Sequence, residues 1–149
     1  MLKKFVVAKN KVVLDTNVLI SAIIGKPGSF PHRAVRQCLT VEQRVAVCLS
    51  EEILAEYYRV VGYAKFKRFA NFRAEALAVL NDLQPLAEFY QPTQRLSVIR
   101  DEPDNRFLEL AIAAKAGFLI TGNTQDFTFS HFEGVRIVSP KEFVETHCI

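Results

Sequence analysis

Short apolar runs punctuate the chain, separated by longer stretches whose apolar residues recur every three or four positions. Val12-Val13-Leu14 is a β-branched run ending at Asp15 and has the form of a strand buried on both faces of a parallel sheet. Val45–Leu49, Leu96–Ile99, Phe118–Thr121 and Val135–Val138 read as four further strands. Between them lie helical signals. Thr16 to Ser21 leaves the first strand as a turn and helix, and Gly25-Lys26-Pro27-Gly28-Ser29 marks a loop before a helix opening at Pro31 and running toward Leu39. Ser50, followed by Glu51 and Glu52, supplies an N-cap and favourable charge for a helix running to about Gly62. Phe72, Ala76, Leu77 and Leu80 place another helix over Asn71–Leu83, and a further one over Asn105–Ala116 is closed by Gly117. Ser139-Pro140-Lys141-Glu142 has the form of a capping box with proline at the first helical position. Strand and helix in alternation predict an α/β fold, a three-layer α/β/α domain with a mainly parallel central sheet of about five strands.

Composition narrows this picture. At 149 residues and 50% hydrophobic content, the chain suffices for one core and one domain spanning residues 1–149. Nineteen basic and 16 acidic residues leave a formal charge of +3, which admits a nucleic-acid partner without requiring one. Cys38, Cys48 and Cys148 are widely spaced and form no C-x-x-C pair, so neither a disulfide framework nor a zinc site is indicated. Met1 to Lys9 contains a four-residue apolar run, far short of a signal-peptide core, and is expected to be an ordered extension. The stretch Leu108–Ile120 is broken by Glu109 and Lys115, so no membrane span is predicted and a cytoplasmic location is expected.

Ligands of open parallel sheets collect beyond the carboxyl ends of the strands. Three polar clusters follow strands directly here: Asp15-Thr16-Asn17, Asp101 to Asp104, and Thr121-Gly122-Asn123. Each alone reads equally as a turn or helix cap. Together they assemble carboxylates that repel one another unless a hard divalent cation neutralises them. Glu56 falls at the border of the helical stripe Ile53, Tyr57, Val60 and Val61, where it is either a solvated helix former paired with Arg59 or a group leaning over the sheet edge. Arg100 and Arg106 flank the acidic turn, placed to hold a substrate phosphate or to pair with Asp101, Glu102 or Glu109. Basic and aromatic residues interleave from Tyr63 to Arg73, a pattern that can suit single-stranded nucleic acid, but the recurrence of Phe66, Phe69 and Phe72 every three residues favours a buried helix face with snorkelling basic stems. His32, His131 and His147 stand in no ligand spacing, and Cys48 reads as a small hydrophobe.

The segment Val12-Val13-Leu14-Asp15-Thr16-Asn17-Val18-Leu19-Ile20-Ser21 closely resembles the opening motif of PIN domains. Ser50 to Tyr57 is similar to the helix carrying that family's glutamate, Asp101 to Ala111 to its third acidic segment, and Ile120 to Asn123 to its fourth. These segments occur in the family's order from about Lys11 to Val144, and the chain most resembles small bacterial and archaeal PIN proteins related to VapC-like toxins. The resemblance implies that Asp15, Glu56 and Asp104 are ligands of Mg²⁺ or Mn²⁺ and catalytic together with Asp101, and that Thr16, Asn17 and Thr121 order the carboxylates. Asn123 departs from the pattern, since many PIN domains carry an aspartate there, and asparagine adds no negative charge; Asp126 lies three residues on, either compensating through the loop or serving as an ordinary surface acid.

The implied activity is metal-dependent endonucleolytic hydrolysis of single-stranded RNA by an activated water, with no protein nucleophile. The resemblance also implies a toxin held by a small antitoxin protein, and a homodimer. Two rivals remain. One is a phosphatase using Asp15 as nucleophile, although Asn17 stands where a haloacid-dehalogenase-like motif has its second aspartate. The other is a catalytically weak PIN domain that binds RNA or a partner protein, for which Asn123 is the argument.

Overall fold

The computed structural model describes residues 10–40 and 45–146; the extension expected at Met1 to Lys9, together with His147 and Cys148, lies outside them. Among the described residues, the strands are β1 (Asn10–Leu14), β2 (Val45–Leu49), β3 (Glu88–Phe89), β4 (Phe118–Ile120), β5 (His131–Phe132) and β6 (Val135–Val138). The helices are α1 (Thr16–Ile24), α2 (Phe30–Leu39), α3 (Glu51–Val61), α4 (Phe72–Leu83), α5 (Asp104–Ala114) and α6 (Pro140–Thr146). They form one six-stranded sheet in the order β3-β2-β1-β4-β6-β5. All pairings are parallel except β5 with β6. The predicted three-layer α/β fold is the one observed.

Sheet order explains where a site can form. From β1 the chain builds outward through β2 to β3, and then returns to lay β4 on the other side of β1. The crevice between the carboxyl ends of β1 and β4 is therefore the point where winding reverses, the usual ligand position in such sheets. Val13, Leu14, Leu119 and Ile120 are buried in this centre, with Leu14 in register with Ile120. Helix α5 packs against β1, β2, β4 and β6, while α1, α2, α4 and α6 pack on one another.

Several local expectations are met. Ser50 accepts the Ile53 N–H at 3.1 Å as an N-cap, and Ser139 accepts that of Glu142 at 3.0 Å. Cys48 is fully buried in β2, and burial pushes its thiol up to about 12, leaving it inert.

Three expectations are corrected. Leu96–Ile99 is not a strand: β3 already occupies the edge beside β2, and the backbone N–H groups of residues 96, 98 and 99 are bound by side chains of α5 instead. Asn105 Oδ1 accepts from Val98 and Ile99 at 3.0 Å, and Glu109 Oε2 accepts from Leu96 at 2.6 Å. An apolar run is satisfied here without a neighbouring strand. Gly117 does not close α5; Lys115 takes the left-handed conformation at φ 55°, while the Gly117 N–H bonds Lys11 O and leads into β4. Phe66, Phe69 and Phe72 do not share one helix, since a 3₁₀ turn (Ala64–Arg68) and a left-handed Asn71 at φ 62° separate Phe66 from α4. The strand β5, absent from the expected set, is too short for a periodicity signal and is set by the turn through Glu133 and Gly134, both with positive φ.

Candidate metal centre

Asp15 ends β1 and caps α1. Its Oδ1 accepts the Asn17 N–H at 3.2 Å, and its Oδ2 accepts the Thr121 hydroxyl at 2.7 Å. Thr121 follows β4 and also accepts the Asn123 N–H at 3.0 Å, so the β4 loop and the β1 end are locked through one hydroxyl. The Asp15 N–H itself donates to Ile120 O at 2.9 Å. Burial raises the Asp15 pKa; the bonds from Thr121 and Asn17 oppose that rise, and the charges of Asp101 and Asp126 add to it.

Glu56 leans in from α3. Its Oε2 accepts the Thr16 hydroxyl at 2.6 Å, and its Oε1 pairs with Arg59 at 3.2 Å. Both readings of this residue are thus realised: it has the helical partner, and its other oxygen faces the β1 end. The buried Tyr57 beside it donates to Leu14 O at 2.6 Å, fixing α3 against the strand that delivers Asp15. Sequence reasoning placed Tyr57 only on the apolar stripe. A tyrosine so placed needs a partner for its hydroxyl, and that requirement was the available signal.

Asp104 opens α5. It is 6% exposed, and its Oδ2 is buried with no hydrogen-bond partner among the described residues. Burial, with added repulsion from Asp15, Asp101, Asp126 and Glu56, pushes its carboxyl up to about 7. Oxygens of Asp101, Asp104 and Asp126 lie within 4.8 Å of one another. The structure therefore gathers the predicted acids Asp15, Glu56, Asp101 and Asp104 into one electrostatic neighbourhood. It adds Asp126, carried there by the 3₁₀ turn Thr124–Asp126, whose N-terminal flank is Asn123. Three positions after Asn123, the carboxylate of Asp126 thus stands beside those of Asp101 and Asp104. Neutral Asn123 contributes a backbone N–H instead.

The flanking arginines divide. Arg106 bonds Leu96 O at 2.9 Å, Glu102 at 3.1 Å and Glu109 at 3.0 Å, which realises the ion-pair alternative. Arg100 is exposed. A groove of ≈370 Å³ between α3 and the acidic turn, lined by Glu56, Arg59, Arg95, Glu102 and Arg106, adjoins the site. Asn17, also expected to order the acids, does so through its N–H, with its side chain on the exposed side.

A sheet reversing at β1 and β4, with carboxylates converging at that reversal, defines an acidic site with the donor chemistry of a divalent cation, and residues 11–125 match the family model described as PIN domain. The chain belongs to the PIN-domain family, a superfamily of metal-dependent nucleases. It is similar to an uncharacterized protein of Methanocaldococcus jannaschii, with 30% identity over 146 residues covering 92% of this chain and 91% of the relative. Among the described residues no helix is long and apolar enough to cross a membrane.

Proposed function

We propose that the protein is a Mg²⁺- or Mn²⁺-dependent endoribonuclease that hydrolyses phosphodiester bonds of single-stranded RNA. The observation that carries this reading is Asp104: a buried carboxylate oxygen without a partner among the described residues, raised to about 7 by burial and by the repulsion of neighbouring acids. Folding leaves such a group unsatisfied only at a cost, and a hard cation removes that cost. The residues fit such an ion, because every converging side-chain donor is a carboxylate oxygen. Asp104 would hold it with Asp101 and Asp126, whose oxygens lie within 4.8 Å of its own, and the family resemblance adds Asp15 and Glu56, whose charges act on Asp104.

A divalent cation bound there supplies Lewis-acid stabilisation of phosphoryl charge and lowers the pKa of water. The chain's own groups set the geometry. Thr121 and Asn17 fix the two oxygens of Asp15, Thr16 and Arg59 fix those of Glu56, and Tyr57 fixes the strand end between them. With its carboxyl raised to about 7, Asp104 is partly protonated near neutral pH, and a bound cation would displace that proton. Asn17, two residues after Asp15, stands where the aspartyl-nucleophile motif has its second acid, which speaks against that reading.

Resemblance to VapC-like toxins supports a toxin role, with inhibition by a small antitoxin protein, action as a homodimer and a cytoplasmic setting. Arg100, exposed beside the acidic turn, is the arginine placed to meet a substrate phosphate. Cleavage of a mixed single-stranded RNA pool with Mg²⁺, Mn²⁺ or EDTA, beside Asp15→Asn, tests the activity. Metal-dependent cutting lost in the variant supports it; RNA binding without cutting in any metal assigns a binding module instead.

A further inference from the structure

We propose that the segment from Arg59 to Arg73 is a docking surface for the backbone of single-stranded RNA outside the acidic cleft. This rests on the nuclease reading above and says where a strand leaving that cleft travels. Residues 57–74 hold five of the chain's 19 basic residues, Arg59, Lys65, Lys67, Arg68 and Arg73, and none of its 16 acidic ones. Without them the formal charge of +3 would become −2, so this segment is one of the basic stretches of the chain.

The charge is also uncompensated. Lys65, Lys67, Arg68 and Arg73 are exposed, and among the described residues no carboxylate pairs with them. Lys11 pairs with Glu88, Arg95 with Glu52 and Arg106 with Glu109, whereas these four face solvent together within nine residues. Four cations left to solvent in one short segment repel one another and favour a polyanion.

Aromatic rings give the patch its shape. Phe66 stacks on Phe72 at 4.9 Å, with the Lys65 Nζ 5.2 Å above the Phe66 ring and the Arg68 guanidinium 4.8 Å above that of Phe69. These contacts hold the cations on a rigid base. Tyr63 is 40% exposed at the rim of a ≈240 Å³ hollow lined also by Phe66, Lys67, Phe69, Asn71 and Arg73. Basic groups around an aromatic-walled hollow suit a strand whose phosphates meet the cations while an unstacked base lies against a ring. An acidic peptide would use the charge and leave the rings idle.

Position links the patch to the cleft. Arg59 is bonded to Glu56, and the end of α3 at Val61 lies about 7.5 Å beyond Glu56 at the usual helical rise. A strand crossing Glu56 thus passes Arg59 and then meets the basic turn Ala64–Arg68.

The test uses the full chain and Lys65→Gln/Lys67→Gln/Arg68→Gln, which leaves the rings and all acidic-site residues intact. Binding of a labelled single-stranded RNA of about 20 nucleotides is measured in EDTA across a salt series, with cleavage of a tetranucleotide in Mn²⁺ measured alongside. The expected result is a loss of affinity of about tenfold or more and a decrease of about 2 in the salt slope, at ~0.7 per phosphate contact. Tetranucleotide cleavage stays unchanged, and Lys65→Arg/Lys67→Arg binds as wild type does. Unchanged affinity and slope in the triple variant, with normal cleavage, overturn the docking surface and leave the nuclease reading standing. Lost binding with no cleavage by either protein in any metal overturns the nuclease reading while the surface stands. Displacement of the RNA by a polyglutamate peptide at equal charge concentration assigns the patch to an acidic protein partner and overturns the proposal.

Discussion

Two buried acids on α5, five residues apart, have opposite surroundings. Glu109 is 1% exposed and fully served: the Leu96 N–H at 2.6 Å, Arg106 at 3.0 Å and Arg95 at 3.4 Å all reach it. Asp104 is 6% exposed and has acids for neighbours, with one oxygen that has no hydrogen-bond partner among the described residues. Burial alone therefore does not mark a functional acid. The distinction lies in whether the fold supplies the counter-charge itself or leaves that place for a ligand.

The largest effect that separates these two acids is expected at Asp104→Asn. RNA cleavage should fall on the order of 10²–10³-fold, as when one electrostatic contributor to a transition state is removed. Thermal stability in EDTA should hold or rise, because a repelled, desolvated charge has gone. Glu109→Leu should do the reverse. It leaves the Leu96 N–H without an acceptor and Arg106 short of a partner, at a cost of about 3 kcal/mol by denaturant unfolding. Metal affinity of the folded fraction should persist.

Acidity sharpens the contrast. Asp104 sits at about 7 in the cation-free fold, above the ordinary 3.8. The native state therefore binds more protons than the unfolded chain between these values, and stability falls as pH rises through that window. In EDTA, raising pH from 5 to 8 should cost about 1–3 kcal/mol from this group. Saturating Mn²⁺ should remove the trend, because the cation replaces the proton. Flat stability in EDTA over that range would show that the repulsion at Asp104 is relieved some other way.

The smallest of these effects is expected at Thr121→Val, which removes the donor to Asp15 Oδ2 and the acceptor of the Asn123 N–H. Unfolding should cost about 1–2 kcal/mol, and kcat should drop more than KM rises, since the carboxylate remains but loses its orientation.

The α/β class, the Ser50 cap and the strands carrying Asp15 and Thr121 were legible because they rest on local signals: apolar runs, capping chemistry and strand-end polarity. Asp15, Glu56, Asp101 and Asp104 were legible as a set through position after strands and motif order. Asp126 was legible only as an alternative, because its reach depends on a 3₁₀ turn that no periodicity encodes. The Leu96–Ile99 run misled for a related reason. Its backbone partners are Asn105 and Glu109, and side-chain bonds across a loop leave no pattern in the apolar spacing.

Calorimetric titration of the cation-free protein with Mn²⁺ near pH 7, beside Asp104→Asn, tests most directly whether the unpartnered carboxylate is held for a cation. The account predicts saturable binding by wild type, with proton release that depends on the buffer, and a large loss of both affinity and proton release in the variant. Equal Mn²⁺ binding by the two proteins, or none by wild type, would contradict it.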